Sequence, residues 1–303
     1  MTRLVRTSLF LLLIATSLTS CGRSFRVNHG TAKADAPAAP PIYETITRPG
    51  AIVHLITIPD PVAYPLRVGV ADGLAPVNQT LEYLCRGQSC GIAAINAGFF
   101  DPHNGLTTSA VVIQGRLVAD PRQNQRLMGN PNLAAFLDKI LNRSEFRRYH
   151  CHGRPAYAIS SHQQPVPPAC NLIDAVAAGP QLLPQNTSEA EGFLDTHLIP
   201  PRDALGSRQA NARSAVGIRA DGSILLMMVA QIPGLANSGM TLAEVADLMT
   251  QRGAVQALNL DGGSSSTLVY GSTTYYGRLD PNGKPRQRSV KSILWVSTLT
   301  SSM

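Results

Sequence analysis

The unit from Met240 to Gly277 constrains the fold of this chain more than any other part of its sequence. In "MTLAEVADLMTQRGA", Thr241 and Glu244 stand three apart, as a capping box requires, so Glu244 is assigned to the helix cap. Leu242, Val245, Ala246 and Met249 fall on neighbouring helical faces. Arg252 and Gly253 supply a cationic last turn and a left-handed stop. "AVQALNL" then reads as a buried strand and "TLVYGSTTYYG" as a hairpin, with Asp261, Gly262, Gly263, Ser264, Ser265 and Ser266 between them. A capped helix feeding a buried strand demands a sheet around that strand and a core beneath the helix. The polar turn then lies where the strand ends.

The rest of the chain supplies the sheet. "AIVHLITIP" (Ala51 to Pro59) and "LRVGVAD" (Leu66 to Asp72) are short, β-branched runs stopped by Pro, Asp or Gly. "CGIAAINAGFF" is an apolar run broken by Asn96 and Gly98, and "TSAVVIQGRLVAD" reads as a hairpin turning at Gln114 and Gly115. "RSAVGIRADGSILLMMVA" is a hairpin joined by Ala220 to Ser223, with the Asp-Gly turn signal. "GNPNLAAFLDKILNR" places Leu133, Phe136, Leu137, Ile140 and Leu141 on one helical face, with Pro131 in the first turn. Hairpins with few helices predict an α+β fold, mixed or antiparallel sheets with a few packing helices, in a single domain over residues 46–303.

The first residues belong to export rather than to the fold. Arg3 and Arg6 precede the apolar run "SLFLLLIA", which is too short to span a membrane stably. Residues 1–20 therefore read as a signal peptide, and "LTSC", ending at Cys21, resembles a bacterial lipobox whose cysteine is lipidated. The residue after it is Gly22, not the aspartate of inner-membrane retention, so the expected location is the periplasm or outer membrane, held by the lipid. Residues 22–45, with "TAKADAPAAPPIYE", read as a semi-extended Ala/Pro-rich linker.

Losing Arg3 and Arg6 lowers the formal charge of +7 by two, a mild basic bias suited to an anionic substrate. No basic run is interleaved with aromatics, so nucleic acid is not an expected partner. Setting Cys21 aside leaves Cys85, Cys90, Cys151 and Cys170, an even number that in an exported chain predicts two disulfides. Three pairings exist, and nearest neighbours, Cys85 with Cys90 and Cys151 with Cys170, are the expected one. His150, Cys151 and His152 in "YHCHGR" offer a weaker alternative as metal ligands.

Several polar groups interrupt apolar segments. A buried Asn96 would need hydrogen-bond partners or a site. Gly98, Gly262 and Gly263 bare the backbone for close approach, and successive N–H groups at the glycine turn can converge on an anion. Asn259 and Asp261 stand two apart, on one face of a strand. Arg213 opens "SAVGI", where a guanidinium could clamp a phosphate.

Taken in order, "INAGFF", "AAGPQLL", "RSAVGI", "TLAEVADLM", "ALNLDGGSSSTLVY" and the late "RSVKSILWV" resemble the phosphodiester glycosidase family, of uncovering-enzyme-like N-acetylglucosamine-1-phosphodiester alpha-N-acetylglucosaminidase domains, from about Ile92 to Val296. Ser264 stands where many members have a third glycine, and Ala97 where many have glycine. The resemblance implies an exported hydrolase that cleaves a sugar-1-phosphodiester at the anomeric carbon–oxygen bond, on envelope or extracellular glycans. It implies Asp261 as nucleophile or base, Arg213 and the backbone at Gly262 and Gly263 as phosphate binders, and Asn96 and Asn259 as groups orienting the sugar or the carboxylate. Gly98, Ser264, Ser265 and Arg288 complete the expected substrate contacts. No metal motif is present and the cofactor is unknown, although Asp261, Asn259, Asn96 and Asp101 offer hard oxygen ligands for a divalent cation. Two other readings compete. A serine hydrolase would use Ser264, Ser265 or Ser266, but the Gly-x-Ser-x-Gly elbow is missing. A non-catalytic lipoprotein would bind envelope or exopolysaccharide with the same polar groups.

Overall fold

The computed structural model describes residues 38–85 and 91–297. Cys21, the expected signal segment, residues 22–37 of the expected linker and Cys90 lie outside the described residues. The strand Ile42–Arg48 starts inside the stretch expected as linker, so the folded unit begins before Ile46.

Three antiparallel sheets share one core. The first has the strand order Ile42–Arg48, Ala51–Ile58, Ile224–Gln231, Arg213–Arg219, Ala254–Asn259 and Gln181–Leu183. The second runs Thr273–Tyr276, Thr267–Tyr270, Ala93–Asn96, Val290–Val296 and Leu66–Ala75. The third runs Arg116–Ala119, Val111–Ile113, Cys170–Ala177, Ser144–Cys151 and Arg154–Ser161. Ile56, Val216 and Leu258 of the first sheet meet Leu66, Ile95 and Leu294 of the second, and Val111, Phe146 and Val176 of the third.

This layering explains the unbroken apolar run "ILLMMVA". Ile224, Leu226 and Met228 enter the shared core, whereas Leu225, Met227 and Val229 face the opposite side. There they meet Leu242, Val245, Leu248 and Met249 of the helix Leu242–Gln251. A strand covered on both faces has no position for a polar residue. The helix starts as expected: the Thr241 side chain accepts from the Glu244 amide and the Glu244 carboxylate from the Thr241 amide. It stops at Gly253, whose φ of +83° suits glycine.

The hairpins form where predicted, at Gln114–Gly115 and Asp221–Gly222, with Arg213 opposite Val229 and Ile218 opposite Ile224. The expected continuous helix after Gly129 does not form. A 3-10 segment, Pro131–Phe136, precedes a short helix, Leu137–Leu141, although the apolar face with Phe136 and Ile140 is buried as foreseen. Cys151 and Cys170 face each other across neighbouring strands and are disulfide-bonded, which consumes the thiol a metal site at His150 and His152 would need. Cys85 is also disulfide-bonded. Among the described residues no helix is long and apolar enough to cross a membrane.

Candidate functional site

Asp261 follows the strand Ala254–Asn259 by two residues, and its backbone is fixed on both sides by the second sheet. Its N–H donates to the Ala97 carbonyl at 2.9 Å, and its carbonyl accepts from Asn96 Nδ2 at 2.6 Å. Asn96 is fully buried, and its Oδ1 accepts from the Ser214 hydroxyl at 2.8 Å and from the Thr267 amide at 3.0 Å. Asn96 thus joins three elements through one amide. Of the two expected roles for Asn96, orienting the sugar or the carboxylate, its buried amide fits the second, through a grip on the Asp261 backbone.

Asp261 is half-buried as a residue, and its carboxyl group is surrounded by protein. Burial pushes it up to about 6, against the Ser265 hydroxyl, the Arg288 charge and the Gly262 amide, which favour the ionised form. Arg288 Nη1 donates to the Ser264 hydroxyl at 3.0 Å, and its guanidinium lies 5.4 Å from the Phe100 ring centroid. Asp261, Ser264, Ser265 and Arg288 are therefore gathered at one place. Neither Ser264 nor Ser265 is hydrogen-bonded to a histidine among the described residues; Ser265 bonds the Asp261 carboxylate instead.

Other expected contacts are spent elsewhere. Arg213 is buried, and its donors go to the carbonyls of Met240 (3.0 Å), Leu205 (3.0 Å), Gly206 (2.7 Å) and Gln209 (2.9 Å). This arginine fastens the 205–209 loop and has no open fork for a phosphate. Its stem still bears on the site, because a Cβ at Gly262 would lie 3.9 Å from Arg213 Cδ and 3.1 Å from the Ala212 carbonyl oxygen. At the glycine turn, Gly263 N–H goes to Ala212, Ser265 N–H to Gly262 and Ser266 N–H to Gly263, so the expected convergence of N–H groups on an anion is absent among these three. Gly98 is buried against the third sheet; a Cβ there would be 2.7 Å from the Ala177 carbonyl oxygen, so its bareness admits a strand and not a ligand. Asn259 is buried too, with Nδ2 on the Gly179 carbonyl at 2.8 Å and Oδ1 unpaired. Of the four proposed metal ligands, Asn96 has its Oδ1 doubly bonded and Asp101 pairs with Arg126 at 2.8 Å.

Two supporting residues escaped the sequence reading. Ser214 holds Asn96, and Ser292 accepts the Gly98 amide at 3.0 Å. Each is a small polar residue inside an apolar strand, the same signal that singled out Asn96.

A family model described as Phosphodiester glycosidase matches residues 89–297. The fold resembles the catalytic domain of zebrafish N-acetylglucosamine-1-phosphodiester alpha-N-acetylglucosaminidase, auto-inhibited by its pro-peptide, with a TM-score of 0.58 at 17% identity, covering 87% of this chain and 85% of that one. It also resembles a hypothetical protein from Synechocystis, with a TM-score of 0.55 at 19% identity and 84% of this chain covered. The chain spans 61% of that protein's length. A comparison with curated proteins gives no match.

Proposed function

The chain belongs to the phosphodiester glycosidase family, and from that premise we propose that it is an exported hydrolase that cleaves a sugar-1-phosphodiester at the anomeric carbon–oxygen bond, acting on envelope or extracellular glycans. The observation that carries the reading is Asp261: a lone carboxylate on a half-buried residue beside the glycine turn, raised to about 6, facing Ser265 and within the field of Arg288. A group with that pKa is mostly ionised at neutral pH, yet able to take a proton, as a general base must.

In this reaction the bond from the anomeric carbon to the bridging oxygen breaks, and its electron pair leaves with the phosphate. Water supplies the new oxygen on the sugar, and Asp261 receives the proton or first bonds the anomeric carbon itself. A phosphate leaves readily, so a strong general acid matters less than for an ordinary glycoside. Arg288 offsets negative charge next to the turn. Asn96 is a positioning residue, since it reaches the reaction only through the Asp261 backbone. The lipid anchor at Cys21 and the periplasmic or outer-membrane location are supported by the N-terminal sequence.

The test is a panel of sugar-1-phosphodiesters followed by mass spectrometry. Release of free sugar and phosphomonoester by the wild type, lost in folded Asp261→Asn, is the expected result. Glycan binding with no release by the wild type would replace the hydrolase by a binding protein.

A further inference from the structure

Among the described residues three arginines are buried: Arg143, Arg147 and Arg213. Two have spent their donors. Arg213 fastens the carbonyls described above, and Arg147 bonds Glu145, Tyr149 and the carbonyls of Ser161, His162 and Gln164. Arg143 differs. Its one hydrogen bond to a described residue runs from Nε to the Glu191 carbonyl at 3.4 Å. Nη1 and Nη2 meet no acceptor among the described residues, and neither is sealed from solvent.

The fork is nevertheless held in place. The guanidinium carbon lies 3.7 Å from the centroid of Phe193 and 5.8 Å from that of Phe99. Beside it Glu191 is only 5% exposed. Its Oε1 accepts from the Ser144 hydroxyl at 2.7 Å, the Gln181 amide at 3.2 Å and the Thr187 hydroxyl. Its Oε2 is buried without a donor and lies against Gly179, where a Cβ would come within 2.1 Å of it. Arg143 and Glu191 attract through space but are not in ion-pair contact. Burial pushes Arg143 down to about 10, so it stays a cation at neutral pH.

Phe99 and Gly179, which border this cluster, lie close in the chain to the backbone partners of Asp261 and its strand. Phe99 is two residues beyond Ala97, the acceptor of the Asp261 amide, a separation of at most about 7 Å along the chain. Gly179 donates to the carbonyl of Asn259, two residues before Asp261. A buried cation with two free amino groups, beside a buried carboxylate oxygen lacking a donor, lacks a ligand that accepts at one end and donates at the other.

We infer that the Arg143 fork, stacked on Phe193, and Glu191 Oε2 form the subsite that receives the anionic phosphoryl group and an adjacent hydroxyl of the substrate. The identity of the anion rests on the phosphodiester glycosidase reading; the anion site itself does not. Arg143 is thereby assigned the phosphate contact that the sequence suggested for Arg213.

The experiment measures inorganic phosphate binding to the exported protein by 31P line broadening, alongside KM for a sugar-1-phosphodiester. Arg143→Met should weaken phosphate binding by about 30-fold or more, as the loss of a charge-assisted bidentate contact requires. Arg143→Lys should fall between it and the wild type, because a lysine keeps the charge and loses the fork. Asp261→Asn should bind phosphate at least as well as the wild type. Folded Arg143→Met that binds phosphate within about twofold of the wild type overturns the inference. If Arg143→Met does not fold, tungstate soaked into wild-type crystals decides: anomalous density at Nη1 and Nη2 supports the subsite, and density elsewhere or none overturns it. Phosphate binding that depends on Arg143, in a protein that hydrolyses no sugar-1-phosphodiester, would remove the hydrolase reading and leave the subsite. Hydrolysis with KM unmoved by Arg143→Met would do the reverse.

Discussion

Asn96 Nδ2 donates to the Asp261 carbonyl at 2.6 Å, joining residues 165 positions apart in the chain. The same amide accepts from Ser214 and Thr267, so Asn96→Ala would strand three polar groups. The expected loss is about 3 kcal/mol of stability, read by denaturant unfolding. Asn96→Asp keeps the acceptor and loses the donor. In its folded fraction kcat should fall while KM stays close to the wild-type value, since only the placement of the Asp261 backbone changes. Equal effects on kcat and KM would contradict a positioning role.

Asp261 makes activity and stability depend on pH in opposite senses. If the ionised carboxylate is the working form, activity rises as pH passes through about 6. Burial favours the protonated acid in the folded chain, so the unfolded chain gives up this proton first. The stability held by this group is present below its ordinary value near 3.8 and is lost as pH rises through about 6. Asp261→Asn should therefore abolish activity and, at pH 8, raise stability by up to roughly 3 kcal/mol. A variant no more stable than the wild type at pH 8 would mean that the carboxylate is better solvated than its surroundings imply.

Arg213 and Arg288 should separate stability from binding. Arg213→Met strands the four carbonyls it now serves, and should cost about 3 kcal/mol or more, with KM for a phosphodiester unchanged in the folded fraction. Arg288→Met removes a half-buried cation whose one side-chain hydrogen bond among the described residues is to Ser264, and should leave stability within about 0.5 kcal/mol while raising KM. Exchanged phenotypes would restore Arg213 as the phosphate clamp.

The Cys151–Cys170 disulfide closes a loop of 19 residues' separation in the third sheet. Cys151→Ser with Cys170→Ser should cost about 3 kcal/mol through the entropy of the unfolded chain. Thermal melts measure the loss, and the specific activity of the folded fraction should remain.

Much of the first two sheets is written in local signals. The Thr241–Glu244 capping box, the Gly253 stop, the Asp221–Gly222 turn and the apolar run Ile224 to Ala230 each act over a few residues. In the third sheet the hairpin at Gln114–Gly115 is legible, but the strand Ser144–Cys151 is not, for a physical reason. "SEFRRYHC" carries Glu145 and Arg147 inward as a buried ion pair at 2.6 Å, so polarity there no longer reports the solvent face. At the site, Asp261 could be picked out as a charge beside a glycine turn, whereas Arg288 in "RQRSV" entered only with the family resemblance. What Arg213 and Gly98 do could not, because a guanidinium on backbone carbonyls and a glycine under a crossing strand depend on segments far away in sequence. Arg143 looked like an ordinary charged residue at the end of a helix-like segment, and its open fork emerges only once Phe193 and Glu191 surround it.

The central claim is that Asp261 serves attack at the anomeric carbon of a phosphate-linked sugar. Hydrolysis in water enriched in heavy oxygen tests it most directly. The account predicts the label in the released sugar and none in the phosphomonoester, with turnover lost in folded Asp261→Asn. Label in the phosphate, or undiminished turnover by that variant, would contradict it.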